Sequence, residues 1–121
     1  MRKTIGLADV LKFALASASD RIAAAFVFGS VARSSDNAES DVDIIIIGSV
    51  DFAEAVNLLY AAQTTLQREI NPKVFAAEEW KKKLKAKSAF VIDVLSKPKI
   101  FLIGTQRDLD QLAESGQNRP A

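Results

Sequence analysis

The sequence predicts an α/β (α+β) domain in which helices flank one small mixed sheet. Three observations lead to this fold class. Apolar residues recur at helical spacing in several segments. Short runs rich in β-branched and aromatic residues alternate with those segments. Glycine or proline lies at or near the ends of the runs. The chain has 121 residues, which is enough for one domain with its own core. We expect that domain over residues 1–114 and a flexible polar tail over residues 115–121.

The first half of the chain predicts one amphipathic helix and two buried strands. Residues 7–17 place their apolar side chains on one helical face, and residues 24–28 form an apolar run that ends at Gly29. Residues 30–40 are small and polar, with room for one or two helical turns and a loop. Residues 42–47 include four consecutive isoleucines, which favours a central strand covered on both faces.

The second half predicts three further helical segments, two strands and a final helix. Asp51 is expected to cap a helix that ends near Arg68. Residues 70–75 predict a strand at the sheet edge, because Pro72 cannot donate a ladder hydrogen bond. Helices over residues 78–85 and around 90–95, a strand over 99–103 and a short helix over 108–113 complete the order α-β-α-β-α-β-α-α-β-α.

The composition excludes several kinds of chemistry. The chain has no cysteine and no histidine, which rules out disulfides, thiol catalysis, Ser-His-Asp triads and histidine metal ligands. Carboxylates, hydroxyls, lysine, arginine and a bound metal would have to carry any reaction. The net charge of +1 gives no electrostatic case for nucleic acid or an anionic membrane. No apolar run reaches membrane-spanning length, so a cytoplasmic protein is the default expectation.

Between residues 68 and 99, nine lysines and arginines stand against four acidic residues. Such a run is usually a solvated helix face, and that interpretation is favoured here. The alternative is a surface that attracts a triphosphate, RNA or an acidic partner.

One segment carries the candidate chemistry. A strand that ends in Gly29-Ser30 and turns into a helix presents free backbone N–H groups. Glycine allows a phosphate to approach the backbone, and the hydroxyl of Ser30 can bond a phosphate oxygen. Asp41 and Asp43 stand two residues apart at the start of the isoleucine strand, so both carboxylates point to one side. Two such carboxylates repel each other unless a cation lies between them, and Mg²⁺ suits this pair. A phosphate cradle beside a magnesium pair is what nucleotidyl transfer requires.

The pattern Gly-Ser-x-Ala-Arg, followed after a short gap by Ser-Asp-x-Asp and an apolar strand, resembles the DNA polymerase β-type nucleotidyltransferase superfamily. Within it, the chain resembles the minimal nucleotidyltransferases that are encoded beside a HEPN-domain partner as its antitoxin. The resemblance implies that Gly29 and Ser30 hold the phosphates of a nucleoside triphosphate, with ATP as the expected substrate. It implies Mg²⁺ ligation and catalysis by Asp41 and Asp43, and a phosphate or loop contact for Arg33.

The chain departs from this family at one position. The superfamily usually adds a third carboxylate from a neighbouring strand, as metal ligand and base. The strand over residues 70–75 offers Asn71 and Lys73 on that face instead, and Glu69 would substitute only in a different register. Segments 71–80 and 98–104 also resemble a branch of these proteins that is fused to winged-helix regulators.

Three hypotheses follow from these features. The first is a Mg²⁺-dependent nucleotidyltransferase whose acceptor hydroxyl is on a partner protein. The second is an antitoxin-like module that neutralises a HEPN-type partner by contact alone, which the missing acid favours. The third is a nucleic-acid-associated module that uses the lysine-rich face. Assembly into a homo-oligomer is left open.

Overall fold

The computed structural model describes residues 6–28 and 41–115, with side-chain burial described as far as residue 112. In these residues the predicted order of elements is confirmed, and one 3-10 helix is added to it. The elements are α1 (Leu7–Leu15), the 3-10 helix (Ala16–Arg21), β1 (Ile22–Phe28), β2 (Val42–Gly48), α2 (Phe52–Leu66), β3 (Ile70–Phe75), α3 (Ala77–Lys85), α4 (Ala89–Ser96), β4 (Lys99–Ile103) and α5 (Gln106–Ser115). The predicted helical turn over residues 30–40 lies outside the described residues.

The four strands form one mixed sheet in the order β3-β2-β1-β4. β1 pairs antiparallel with both β2 and β4, whereas β2 and β3 are parallel. The strand of four isoleucines is therefore central, as predicted, and Pro72 lies in an edge strand, where its missing N–H costs least. The predicted fold class, a small mixed sheet with flanking helices, is confirmed.

Helices cover both faces of the sheet and divide the apolar interior into two cores. The first core lies against α1 and α2, and the second lies against α3, α4 and α5 and is rich in aromatic rings. Alternation along β2 explains the division, because Ile44 and Ile46 enter the first core while Ile45 and Ile47 enter the second. All four isoleucines are fully buried. We call the second cluster the aromatic core; it contains Phe26, Phe28, Ile45, Ile47, Phe75, Trp80, Val91, Val94 and Leu109.

Local sequence determines where α2 begins and ends. Its N-cap is Asp51, whose carboxylate accepts a hydrogen bond from the Glu54 N–H at 2.8 Å, as predicted. The helix ends at Leu66, and its C-cap Gln67 adopts a left-handed conformation with φ 55°. The side chain of Gln63 then accepts a hydrogen bond from the N–H of Ile70 at 2.8 Å, which joins the end of α2 to the start of β3.

Gly48 closes β2 at a point where no side chain fits. A Cβ on this residue would lie 2.3 Å from the carbonyl oxygen of Arg21 and 2.7 Å from the Cα of Ile22. The backbone N–H of Ser49 donates to the same Arg21 carbonyl at 2.8 Å. Close approach of the two strands at this end of the β1–β2 pair therefore requires glycine. Across the described ranges, every helix is too short or too polar to cross a bilayer.

Candidate active site

The strand register places the predicted acidic pair at one end of the sheet. Asp43 pairs with Phe28 of β1 on one side and with Asn71 of β3 on the other. Phe28 in turn pairs with Lys99 of β4. The four residues Asn71, Asp43, Phe28 and Lys99 thus form one row across the whole sheet, which we call the site row. Phe28 is the last residue of β1, so the row lies where β1 ends and β2 begins.

The site row faces the side of the sheet that carries the aromatic core. Asp43 alternates with Ile45 and Ile47, both of which belong to that core, and Phe28 is itself a member. Asp43 is half-buried, and Asp41, one residue before β2, is exposed. A hydrogen bond fixes the first residue of β2, because the Val42 N–H donates to the Glu69 carbonyl at 2.9 Å. Two carboxylates therefore lie at one end of the sheet, one of them exposed to solvent and the other partly so.

Three of the predicted site residues, Gly29, Ser30 and Arg33, lie outside the described residues. Their assignment to phosphate binding stays a prediction. The described part of β1 ends at Phe28, one position before Gly29 in the sequence. Phe28 pairs directly with Asp43. The residue that precedes the predicted phosphate-binding Gly29 in the sequence is therefore the strand partner of a predicted metal ligand.

The position expected for a third carboxylate is occupied by an amide. The register pairs Asn71 with Asp43 and Lys73 with Ile45, the two residues that the sequence predicted to share this face of β3. Glu69 instead lines a shallow cleft of about 390 Å³ with Gln63 and Gln67 at the end of α2. Within residues 6–28 and 41–115, no three acidic side chains converge into a metal-binding cluster. The described acidic part of the site is therefore Asp41 and Asp43, with Asn71 beside them.

A ring of α4 packs on the same face of the sheet as the site row and contacts one of its members, Phe28, which the sequence did not indicate. Phe90 lies 6.3 Å from Phe28 and 6.2 Å from Phe75, measured between ring centroids. The ammonium of Lys73 lies 5.9 Å from the centroid of the Phe90 ring. Phe90 thus spans from β3 to β1 above β2. From sequence, this residue is only one of several apolar positions of a short helix.

Lys99 belongs to the site row, although the sequence did not single it out as a site residue. Its ammonium donates hydrogen bonds to the carbonyls of Leu95 and Lys97, both at 3.0 Å, at the C-terminal end of α4. Partial burial lowers the pKa of Lys99 below its usual value, and the nearby carboxylate of Asp110 acts in the opposite direction. The side chain is therefore a cation held in place beside the end of β1.

The donor chemistry of the site fits a hard divalent cation. The carboxylates of Asp41 and Asp43 and the amide oxygen of Asn71 are oxygen donors, which Mg²⁺ prefers over nitrogen or sulfur. The pair supplies two carboxylates at the start of β2, and the ion pairs among the described residues, Arg21–Glu54 and Lys97–Asp93, involve neither of them. Asn71 is able to ligate through oxygen but, unlike a carboxylate, is unable to accept a proton.

These features define the nucleotidyltransferase fold: a short mixed sheet with an acidic pair at the start of its central strand. The profile of the family "Polymerase beta, Nucleotidyltransferase" matches residues 13–92, about two thirds of the chain. The chain belongs to this family. The resemblance predicted from the sequence is confirmed for the family and the fold. No curated protein matches the chain significantly.

Solved structures with the same fold come from toxin–antitoxin systems. A crystal structure of a toxin–antitoxin with AMP-PNP aligns with a TM-score of 0.61 and 17% identity over 88% of this chain and 80% of the other. A mutant of the toxin–antitoxin MntA-HpeT aligns with a TM-score of 0.59 and 16% identity over 88% and 80%. A tri-AMPylated Shewanella oneidensis HEPN toxin in complex with MNT antitoxin gives 0.55 and 16% over 90% and 79%. At these identities the likeness establishes the fold alone.

Proposed function

We propose that this chain is a Mg²⁺-dependent nucleotidyltransferase that transfers the nucleotidyl group of ATP to a hydroxyl on a HEPN-type partner protein. The observation that supports this most is the site row. It pairs Asp43, near the start of the central strand, with the last residue of β1, after which Gly29 and Ser30 follow. Family membership supports the reaction class.

Each predicted residue has a role in this proposal. Asp41 and Asp43 would hold Mg²⁺, which supplies charge neutralisation of the triphosphate and of the leaving pyrophosphate. Gly29 and Ser30 would bind phosphate oxygens through backbone N–H groups and the hydroxyl. Arg33 would contact a phosphate or fix the loop that carries it.

The transfer is a direct displacement at the α-phosphorus. The acceptor oxygen forms a bond to that phosphorus as the bond to the pyrophosphate oxygen breaks, and pyrophosphate leaves. The hydroxyl proton must pass to a base or to solvent. No covalent enzyme intermediate is required, which agrees with a chain that has neither cysteine nor histidine.

One observation favours a second candidate function. Asn71 occupies the register position beside Asp43, where the superfamily usually places its third carboxylate, and an amide does not remove a proton. This favours an antitoxin-like module that has lost transfer and acts on its HEPN-type partner by contact. Binding of nucleotide would survive in that case, because the acidic pair remains.

The choice of partner rests on the similar structures. One of them contains AMP-PNP, and another pairs an AMPylated HEPN toxin with an MNT antitoxin. A chain that shares this fold and retains the acidic pair is suited to the same kind of assembly. AMPylation of a partner is also the transfer that our proposal describes.

Label transfer tests the proposed activity. The chain is incubated with Mg²⁺, ATP radiolabelled at the α-phosphate and a HEPN toxin as acceptor. We expect label on the toxin, and none when EDTA is present or when Asp43 is replaced by Asn, a substitution that preserves size while removing charge. Label that stays at background with the wild-type chain, while a complex with the toxin still forms, would favour the contact-only function.

A further inference from the structure

We infer that Lys73 and Lys83 form a docking site for an acidic segment of the acceptor protein, an inference that rests on the proposed function for its partner. The two lysines lie against two aromatic rings. We call the four residues Lys73, Phe75, Lys83 and Phe90 the lysine–aromatic cluster. None of them belongs to the residues proposed to bind the nucleotide or the metal.

Three elements of the fold bring this cluster together. Lys73 and Phe75 lie on β3, Lys83 lies on α3 and Phe90 lies on α4. The centroids of the Phe75 and Phe90 rings are 6.2 Å apart. The ammonium of Lys73 lies 5.9 Å from the Phe90 centroid, and that of Lys83 lies 5.9 Å from the Phe75 centroid. Each cation is therefore attracted to a ring, which restricts it to one region of the surface.

The cluster adjoins the site row. Asn71, Lys73 and Phe75 alternate along β3, so they share the face of the sheet that carries the aromatic core. Asn71 pairs with Asp43, and Lys73 lies about 7 Å further along the strand than Asn71. Phe90 also contacts the ring at the end of β1 in the site row, at 6.3 Å between centroids. A protein segment that binds the cluster would therefore lie beside the acidic pair.

The two ammonium groups are available to a partner. Among the described residues, the ion pairs lie elsewhere and involve neither Lys73 nor Lys83. Lys73 is exposed and Lys83 is half-buried. A lysine that is restricted by a ring loses less side-chain freedom on binding an anion than an unrestrained lysine does. Lys82 and Lys85 of α3 are exposed and have no such ring contact in the described part of the chain, as expected of a solvated helix face.

The chemistry of the cluster favours protein carboxylates over a nucleic acid. Surfaces that bind single-stranded RNA combine basic residues with open aromatic rings, on which the bases stack. Here Phe75 is buried, Phe90 is half-buried, and an ammonium already lies over each ring. The net charge of +1 also gives little long-range attraction for a polyanion. Two separate ammonium groups instead suit two acidic side chains of a protein segment.

The alternative is a structural role, in which the two lysine stems only cover the rings. Substitutions separate the roles. Lys73→Met and Lys83→Met keep an apolar stem over each ring but remove the charge. Lys73→Arg and Lys83→Arg keep the charge. Lys12→Met is the matched control, because this lysine is exposed on α1, which covers the opposite face of the sheet.

The experiment is calorimetric titration of the full chain and its variants with a HEPN toxin, at low and at high salt. We expect each methionine variant to weaken toxin binding about threefold at low salt, and the double variant to weaken it about tenfold. The losses should shrink at high salt, because salt screens exposed charges. The arginine variants and Lys12→Met should bind the toxin as the wild type does. ATP binding should change less than toxin binding, and thermal unfolding confirms that each variant is folded.

Three results would overturn the inference. The first is toxin binding by the double variant equal to that of Lys12→Met, which leaves only the structural role. The second is a loss of ATP binding as large as the loss of toxin binding, which assigns the two cations to the nucleotide. The third is binding of a polyuridine oligonucleotide that the double variant loses while it still binds the toxin, which assigns the surface to nucleic acid.

Failure of the proposed function is distinguishable from failure of this inference. A wild-type chain that binds the toxin through the two lysines but transfers no label refutes the transfer and supports the docking site. A double variant that binds and labels the toxin as the wild type does refutes the docking site and leaves the transfer standing. A wild-type chain that forms no complex with the toxin refutes both.

Discussion

A carboxylate introduced beside Asp43 should raise the rate of the proposed nucleotidyl transfer. The change is Asn71→Asp, at the position that pairs with Asp43 across the β2–β3 ladder. The new carboxylate supplies both a third metal ligand and a base toward the acceptor hydroxyl. A positioned general base contributes roughly 10²–10⁴-fold in rate, so we expect label transfer to rise at least about tenfold.

The same substitution has a calculable effect on stability. Two carboxylates on adjacent strands lie about 5 Å apart, and at an effective dielectric constant of about 20 they repel by about 3 kcal/mol. Solvent at this half-exposed sheet end reduces the repulsion to about 1–2 kcal/mol. Without Mg²⁺, Asn71→Asp should therefore lower the free energy of unfolding by about that amount. Millimolar Mg²⁺ should recover most of the loss.

The assay combines label transfer with urea unfolding at several Mg²⁺ concentrations. Asn57→Asp is the matched control, since it makes the same chemical change at an exposed position on α2. This control should alter neither transfer nor the Mg²⁺ dependence of stability. If Asn71→Asp behaves like Asn57→Asp in both measurements, the pairing of position 71 with the metal site is refuted.

Three further predictions concern stability. Asp51→Ala removes the cap of α2 and should lower the free energy of unfolding by about 1 kcal/mol in urea denaturation, while Asp51→Ser should retain most of it. Gly48→Ala forces a Cβ against the backbone of Arg21 and should cost about 1–3 kcal/mol, whereas Gly6→Ala, whose Cβ would have an ordinary 3.6 Å contact, should be close to neutral. The hydrogen bond from Arg21 at 2.9 Å lowers the pKa of Glu54 below its usual 4.5. The stability from this pair is therefore present above pH 4.5 and is lost as pH falls through the lowered pKa, so the melting temperatures of wild type and Glu54→Gln should differ at neutral pH and converge in acid.

Much of the fold was predictable because it follows from local patterns. A run of four isoleucines predicts a strand covered on both faces, and the structure buries all four. Asp51 predicts a helix start through its own side chain, and Pro72 predicts an edge strand through its missing N–H. The 3-10 helix over Ala16–Arg21 was not predicted, because its short, mostly small and polar sequence carries no periodic apolar pattern.

The position of the acidic pair at the start of β2 was predictable, but its surroundings were not. Asp43 lies on β2 and Asp41 directly precedes this strand, so closeness in sequence alone brings both residues to the same strand end. Phe90 and Lys99 reach the same region only because α4 crosses that face of the sheet and β4 pairs with β1. Such contacts depend on strand order, which no local pattern encodes. The lack of a third carboxylate on this face of β3 was predictable from Asn71 and Lys73, because a six-residue strand leaves few alternative registers.

The central claim is that Asp41 and Asp43 bind a metal-complexed nucleotide at the start of β2. The most direct test is calorimetric titration with ATP, with and without Mg²⁺, on the wild-type chain and on the double variant Asp41→Asn/Asp43→Asn. The account predicts binding by the wild type that requires Mg²⁺ and is absent in the double variant. Binding that persists in the variant, or a wild-type chain that binds no nucleotide in either condition, would contradict it.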